Sequence, residues 1–99
     1  PTIMAKLRHS DRITIQGSSG CLTIVIDREV VGYITPDGGR KGWWAHYSRF
    51  LGFRDDPKRP GVSDLIRDQE ELGMKDSKAE ALRAVVARSP TPELAESVK

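Results

Sequence analysis

A segment rich in glycine and serine holds the residues best suited to act as nucleophiles. Residues 17–21 read Gly-Ser-Ser-Gly-Cys, so two hydroxyls and the only cysteine of the 99-residue chain lie beside glycines. A serine or cysteine nucleophile needs a neighbouring base, and the chain contains two histidines, His9 and His46. A nucleophile elbow also needs a buried strand that runs directly into a helix, and no such pattern flanks this segment. We therefore expect a hairpin connection here and a non-enzymatic protein.

The same residues do not predict a metal or cofactor site. His9 and His46 lack the paired spacing of zinc ligands, and a single cysteine, Cys21, forms neither a cysteine cluster nor an internal disulfide. Residues 17–21 also lack the lysine and the following helix of a phosphate-binding loop. We expect no metal and no cofactor.

Residues 40–49 interleave cations with large aromatic side chains, in the order Arg-Lys-Gly-Trp-Trp-Ala-His-Tyr-Ser-Arg. On a strand, Trp43 and Tyr47 face one way and Trp44 the other, so one tryptophan is expected in the core and the other on the outer face. The alternative is that a helix covers one tryptophan and a long loop covers the other. An exposed surface of this kind stacks on bases while its cations meet phosphates, or it anchors a protein interface.

The charge distribution permits a polyanionic partner without requiring one. The net charge is +2, residues 36–59 contain six basic and three acidic residues, and residues 60–99 contain six and eight. The predicted nucleic-acid or partner-binding residues are Arg40, Lys41, Trp44, Tyr47, Arg49, Arg54, Lys58 and Arg59.

The first half of the chain reads as strands, because β-branched residues alternate with polar ones between closely spaced turn signals. Strands are predicted over residues 3–8 and 12–16, joined by a turn at residues 9–11. A hairpin is predicted from residues 22–26 and 30–35. Another strand, residues 42–47, follows the Pro-Asp-Gly-Gly turn at residues 36–39.

The second half reads as a loop and two helices. Residues 48–62 contain two prolines and two glycines and are predicted to form a long irregular surface loop. Ser63 is a candidate cap for a short helix over residues 64–72, with Gly73 at its C-terminal end. Ser77 and Glu80 have the spacing of a capping box, and the apolar face that follows predicts a helix to Arg88.

These elements predict an α+β fold, with an antiparallel sheet of three to five strands packed against one or two C-terminal helices. Residues 1–88 are expected to form a single domain and residues 89–99 a flexible tail. No apolar run is long enough to span a membrane and no signal-peptide pattern is present, so we expect no membrane partner and a cytoplasmic location.

The pattern from Val30 to Arg88 resembles the three-stranded-sheet-plus-helix unit of the arm-type DNA-binding domains of tyrosine integrases and of the plant AP2 domain. The matching segments are residues 31–34, 37–39, 42–47, 72–74 and 77–82. The resemblance implies a sheet that lies in the major groove of DNA, and a strand rather than a helix end at residues 72–74. This chain departs from those families because it has additional residues inserted between Tyr47 and Leu72. The resemblance also implies an origin in an actinobacterial phage or mobile element.

Two hypotheses for function follow from the sequence. The first is a small regulatory module that binds nucleic acid, with the cations on phosphates and Trp44 and Tyr47 against bases or sugars. The second is a protein-interaction module, for example a phage-type inhibitor of a host protein, which uses the same aromatic surface. The sequence leaves the oligomeric state open.

Overall fold

The computed structural model describes residues 11–18, 20–39 and 41–98. An antiparallel sheet is followed by one α-helix and a 3-10 helix, which places the chain in the α+β class. The predicted strand over residues 3–8 lies outside the described residues. The elements are β1 (Ile13–Ser18), β2 (Cys21–Ile26), β3 (Glu29–Pro36), β4 (Trp43–Asp55), β5 (Ser63–Lys75), α1 (Lys78–Arg88) and the 3-10 helix (Pro92–Ser97).

The sheet is a meander in which each strand pairs with the next, in the order β1-β2-β3-β4-β5. The predicted hairpin of β2 and β3 is confirmed. Its two turn residues, Asp27 and Arg28, have φ angles of 51° and 71°, the left-handed geometry that matches the twist of a two-residue hairpin. The Asp27 carboxylate also accepts hydrogen bonds from Arg12, which ties this turn to the start of β1.

One face of the sheet forms the core with α1. Ile24, Ile34 and Ala45 are buried there against Leu82 and Val85 of the helix. Gly32 allows this close approach, because a Cβ at that position would lie 2.7 Å from Cγ1 of Val85 and 2.3 Å from the carbonyl oxygen of His46. Only a residue without a side chain fits between strand and helix here.

Helix α1 begins where the capping pattern places it. The hydroxyl of Ser77 accepts a hydrogen bond from the backbone N–H of Glu80 at 3.1 Å. Ala81, Leu82, Val85 and Val86 form its buried face. The prediction of a helix from this capping box to Arg88 is confirmed.

The predicted helix over residues 64–72 is wrong, because this segment lies in strand β5. Its backbone pairs with β4 from Lys75 through Ser63, and that ladder outweighs the helix-like spacing of its few apolar residues. Gly73, predicted to end a helix, has a φ of 85° next to the register shift that leaves Leu72 as an extra residue in β5. Residues 72–74 lie in strand β5 rather than at a helix end.

The predicted loop over residues 48–62 is largely wrong as well, because β4 continues to Asp55 and only residues 56–62 connect it to β5. That connection is compact, since the N–H of Asp56 bonds to the carbonyl of Val62 at 2.9 Å. The segment after Arg88 also differs from the predicted flexible tail. Its 3-10 helix packs on α1, and Ala95 in that helix and Val98 just after it are both buried.

Candidate functional site

The most distinctive surface is a two-stranded ribbon that extends beyond the rest of the sheet. Pairing of β3 with β4 ends at Gly32 and Tyr47, whereas pairing of β4 with β5 continues to Asp55 and Ser63. Residues 48–69 therefore form a projecting hairpin, which we call the hairpin arm. The molecule measures 48 Å along its longest axis and 24 Å along its shortest.

Three apolar side chains share one face of the hairpin arm. Phe50 and Phe53 lie on β4, and Leu65 on β5 lies directly across from Phe53. The two phenylalanine rings meet edge to face with centroids 5.3 Å apart. Phe53 is 70% exposed, Leu65 49% and Phe50 44%. We call these three residues the arm apolar cluster.

A β-bulge creates this cluster. Residues three apart on a regular strand face opposite sides of a sheet, which would separate Phe50 from Phe53. The register between Phe50 and Gly52 shifts by one, so that Leu51 is an extra residue opposite the backbone of β5. The shift returns Phe53 to the side occupied by Phe50.

Two cations of the hairpin arm, Arg49 and Arg59, are paired with neighbouring carboxylates. The guanidinium of Arg49 pairs with the carboxylate of Glu29, which raises the pKa of Arg49. Arg59 hydrogen-bonds Asp56 at 2.5 Å and lies 3.7 Å from Asp64. This bond to Arg59, followed by one from the backbone N–H of Lys58, lowers the pKa of Asp56.

Tyr47 does not belong to an exposed surface, which corrects its predicted place against bases or sugars. It is 2% exposed and shares the helix-facing side of β4 with Ala45, as strand alternation requires. The guanidinium carbon of Arg88 lies 4.5 Å from the ring centroid. Burial raises the pKa of the Tyr47 hydroxyl.

Trp44 lies on the open face of the sheet, as strand alternation predicts, and is 38% exposed. Its indole N–H donates to Asp37 at 3.2 Å, and its cross-strand partner is Met74. Trp43 packs against the core on the other face. The expectation of one inward and one outward tryptophan is confirmed.

The remaining predicted residues are distributed along the whole of β4 and do not converge. Lys41 is exposed near Trp44, whereas Arg54 and Lys58 are exposed at the far end of the hairpin arm. At about 3.3 Å per strand residue, Trp44 and Arg54 are separated by roughly 33 Å. Arg40 lies outside the described residues. The structure therefore divides the predicted set between two ends of one hairpin.

A shallow polar hollow of about 340 Å³ lies on the sheet at the base of the hairpin arm. In it, Nδ1 of His46 is 2.7 Å from Oε1 of Glu71. The hydroxyl of Ser48, also in its lining, accepts a hydrogen bond from Arg67 at 3.4 Å. The contact with Glu71 orients the imidazole ring.

Three other observations concern metal ligands, the single cysteine and membrane-spanning helices. Within residues 11–18, 20–39 and 41–98, no group of three His, Cys, Asp or Glu side chains is arranged to hold a metal ion. Cys21 is exposed at the start of β2. No helix in this described part is long and apolar enough to cross a membrane.

Comparison with known proteins adds no further constraint, since no family model, curated protein or solved structure matches the chain.

Sequence reasoning missed all three members of the arm apolar cluster, because it placed Phe50 and Phe53 in a loop and Leu65 in a helix. The signal that favours a strand was present in the Phe-Leu-Gly-Phe run of residues 50–53, which follows Tyr47 after two intervening residues. Aromatic residues are enriched in strands, and the nearest proline, Pro57, comes only after Asp55.

Proposed function

We propose that this chain is a non-enzymatic protein-interaction module, regulatory in role, whose contact surface is the arm apolar cluster. The observation that carries the proposal is the exposure of Phe53, Phe50 and Leu65 side by side on a projecting strand pair. A contiguous exposed apolar surface on a small protein is typical of a binding site.

The energetics favour a protein partner. Complete burial of a fully exposed phenylalanine or leucine side chain contributes about 1.5 to 3 kcal/mol. The three side chains of the cluster are 44% to 70% exposed, so each can contribute part of that amount at the centre of an interface. Aromatic residues at the centre of an interface often dominate binding energy. Because Phe50 and Phe53 are carried by paired strands, their backbone is ordered before binding and little further conformational entropy is lost.

Nucleic acid is the second candidate, and one feature favours it. The order β3, β4, β5 and α1 is the order of three strands and a helix that the resemblance to integrase arm-binding and AP2 domains implies. Affinity for a polyanion comes mainly from cations that replace counterions on phosphates. Arg49 and Arg59 are already paired with carboxylates, and Tyr47 is buried, which leaves this candidate less support.

A capture experiment separates the two candidates. The wild-type chain, Phe53→Asp and Val30→Asp would each be immobilised and exposed to cell lysate, with and without nuclease. Val30 is the matched control, because it is an exposed apolar strand residue outside the hairpin arm. We expect a defined protein to be retained by the wild type and by Val30→Asp, to be lost with Phe53→Asp, and to resist nuclease.

Two results would overturn the proposal. One is retention that disappears after nuclease treatment and falls steeply with added salt, which indicates phosphate contacts. The other is equal retention by Phe53→Asp and the wild type while both remain folded.

A further inference from the structure

The outer edge of β5 is unpaired in the described part of the chain. β5 is the last strand in the sheet order, and its other edge is occupied by β4. Helix α1 reaches β5 through Arg88, which contacts Asp68 and Glu70, so residues 63–67 lie beyond these contacts. An edge strand exposes a row of backbone donors and acceptors that can pair with another strand.

The hairpin arm also has few strands for its length. An isolated ribbon of two strands is only marginally stable in water, and additional strands with a shared apolar face stabilise such a ribbon. Residues 63–67 carry one half of that apolar face, since Leu65 lies across from Phe53. An added strand on this edge would widen the ribbon and continue the apolar face.

We propose that residues 63–67 pair antiparallel with the same residues of a second copy of this chain, about a two-fold axis at Leu65. This self-association uses the same arm as the proposed function, and it extends that function by joining two arm apolar clusters into one surface. It does not require another protein, so the two proposals fail independently.

The charge pattern of β5 selects a second copy and sets the register. In an antiparallel pair, residues directly opposite each other face the same side, so a two-fold axis passes through a residue pair rather than between pairs. An axis at Asp64, Arg67 or Asp68 places like charges opposite each other, which is destabilising. An axis at Ile66 places Asp64 opposite Asp68 of the other copy. Leu65 is the one position in residues 64–68 that avoids these repulsions.

The chosen register places no like charges opposite each other, and it gives Arg67 a polar neighbour on the second copy. It places Arg67 opposite Ser63 of the second copy. The Ser63 hydroxyl donates to Asp55 at 3.0 Å, so the guanidinium approaches a hydroxyl and a carboxylate. Arg67 has donors to spare beyond its 3.4 Å bond to Ser48, because a guanidinium carries five N–H groups.

The charge of the hairpin arm fits a partner with the same charge pattern. Cations and carboxylates are interspersed along it, as in the groups formed by Arg59 with Asp56 and Asp64. Residues 48–69 contain five Lys or Arg and four Asp, so a net charge of +1 does not select a strongly acidic or basic partner. In the dimer, the four strands β4-β5-β5-β4 would carry the pair Phe53 and Leu65 from each copy on one continuous face.

The first test is the mass of the purified chain in solution. Sedimentation of the wild type should give a mass that rises with concentration towards twice the 11.0 kDa of one chain. Leu65→Asp places two carboxylates opposite each other at the axis and should weaken dimerisation by about tenfold or more. Val30→Asp introduces the same change outside the hairpin arm and should dimerise like the wild type.

Disulfide capture tests the geometry directly. In a Cys21→Ser background, Leu65→Cys brings two thiols directly opposite each other, where Cα atoms lie about 4.5 to 5.5 Å apart and a disulfide can form. Phe53→Cys is the control. Three strand spacings separate the two copies of this residue by about 14 Å, which is too far for a disulfide. Mild oxidation should cross-link Leu65→Cys and leave Phe53→Cys uncross-linked.

A monomeric wild type at every concentration would overturn this dimer, as would preferential cross-linking through Phe53→Cys, which would indicate face-to-face association. Either result, combined with a captured protein that Phe53→Asp loses, would leave the proposed function standing. A dimer with the expected cross-link but no captured protein would support the dimer and overturn the proposed function.

Discussion

Phe50 and Phe53 lie side by side on one face of β4, with ring centroids 5.3 Å apart, because the extra residue Leu51 between them shifts the strand register by one. Because of the bulge, two residues three positions apart lie on the same face of the strand instead of on opposite faces. If Leu51 were instead paired regularly with β5, Phe50 and Phe53 would lie on opposite sides of the hairpin arm and form no contiguous apolar surface.

The bulge itself provides the first prediction. Deleting Leu51 should give a regular ribbon in which Phe50 stays opposite Arg67, and Phe53 stays opposite Leu65, since their pairing partners do not change. We expect the variant to fold with a free energy of unfolding close to that of the wild type, and to retain capture of the partner. A denaturant melt and the capture assay check this. Loss of capture in a stably folded deletion variant would show that Leu51 itself is a contact residue.

The start of α1 provides the second. Ser77→Ala removes the hydroxyl that accepts the Glu80 N–H and should lower the free energy of unfolding by about 1 kcal/mol. Ser77→Asp keeps an acceptor at the cap and should be much closer to the wild type. Equal melts for Ser77→Ala and the wild type would mean that this cap does not stabilise the domain.

The core beneath the helix provides the third. Leu82 is 1% exposed, so Leu82→Ala should cost about 2 to 5 kcal/mol through lost burial and the cavity left behind. Leu51→Ala makes the same truncation at an exposed position and should change stability by less than about 0.5 kcal/mol. Similar losses for the two variants in denaturant melts would contradict the placement of α1 on the sheet.

The pKa of Tyr47 provides the fourth. Burial favours the neutral phenol, so its pKa is raised in the folded protein. This contribution to stability is complete below the ordinary tyrosine pKa and is lost as the pH rises through the folded value. In Tyr33→Phe, Tyr47 is the remaining tyrosine, and ultraviolet absorbance should follow its ionisation at higher pH in the native than in the denatured protein. Coincident titrations would place its hydroxyl in water.

The parts of the fold that the sequence predicted well depend on local signals. The β2–β3 hairpin has a regular alternation of apolar residues on β2, and α1 has the Ser77 cap directly before an apolar helical face. Both signals are contained within short stretches, so no distant pairing is needed to interpret them.

The parts of the fold that were predicted wrongly from the sequence depend on pairing between distant segments. β5 contains two Asp, two Glu and one Lys, residue types that are depleted in strands, and the spacing of Leu65, Ile66 and Leu72 also fits a helix. Its strand form comes from the ladder with β4, which the sequence alone does not display. The candidate site was missed for the same reason, because the Leu51 bulge is defined only by the register of two strands.

The proposal that another protein covers the arm apolar cluster can be tested by photo-cross-linking from inside the cluster. A photoreactive phenylalanine analogue would replace Phe53 in one sample and Val30 in a control, both in cells that contain the natural partners. We predict a discrete protein adduct, identified by mass spectrometry, from position 53 and none from position 30. Adducts to nucleic acid, adducts to this chain alone, or equal labelling from both positions would contradict the claim.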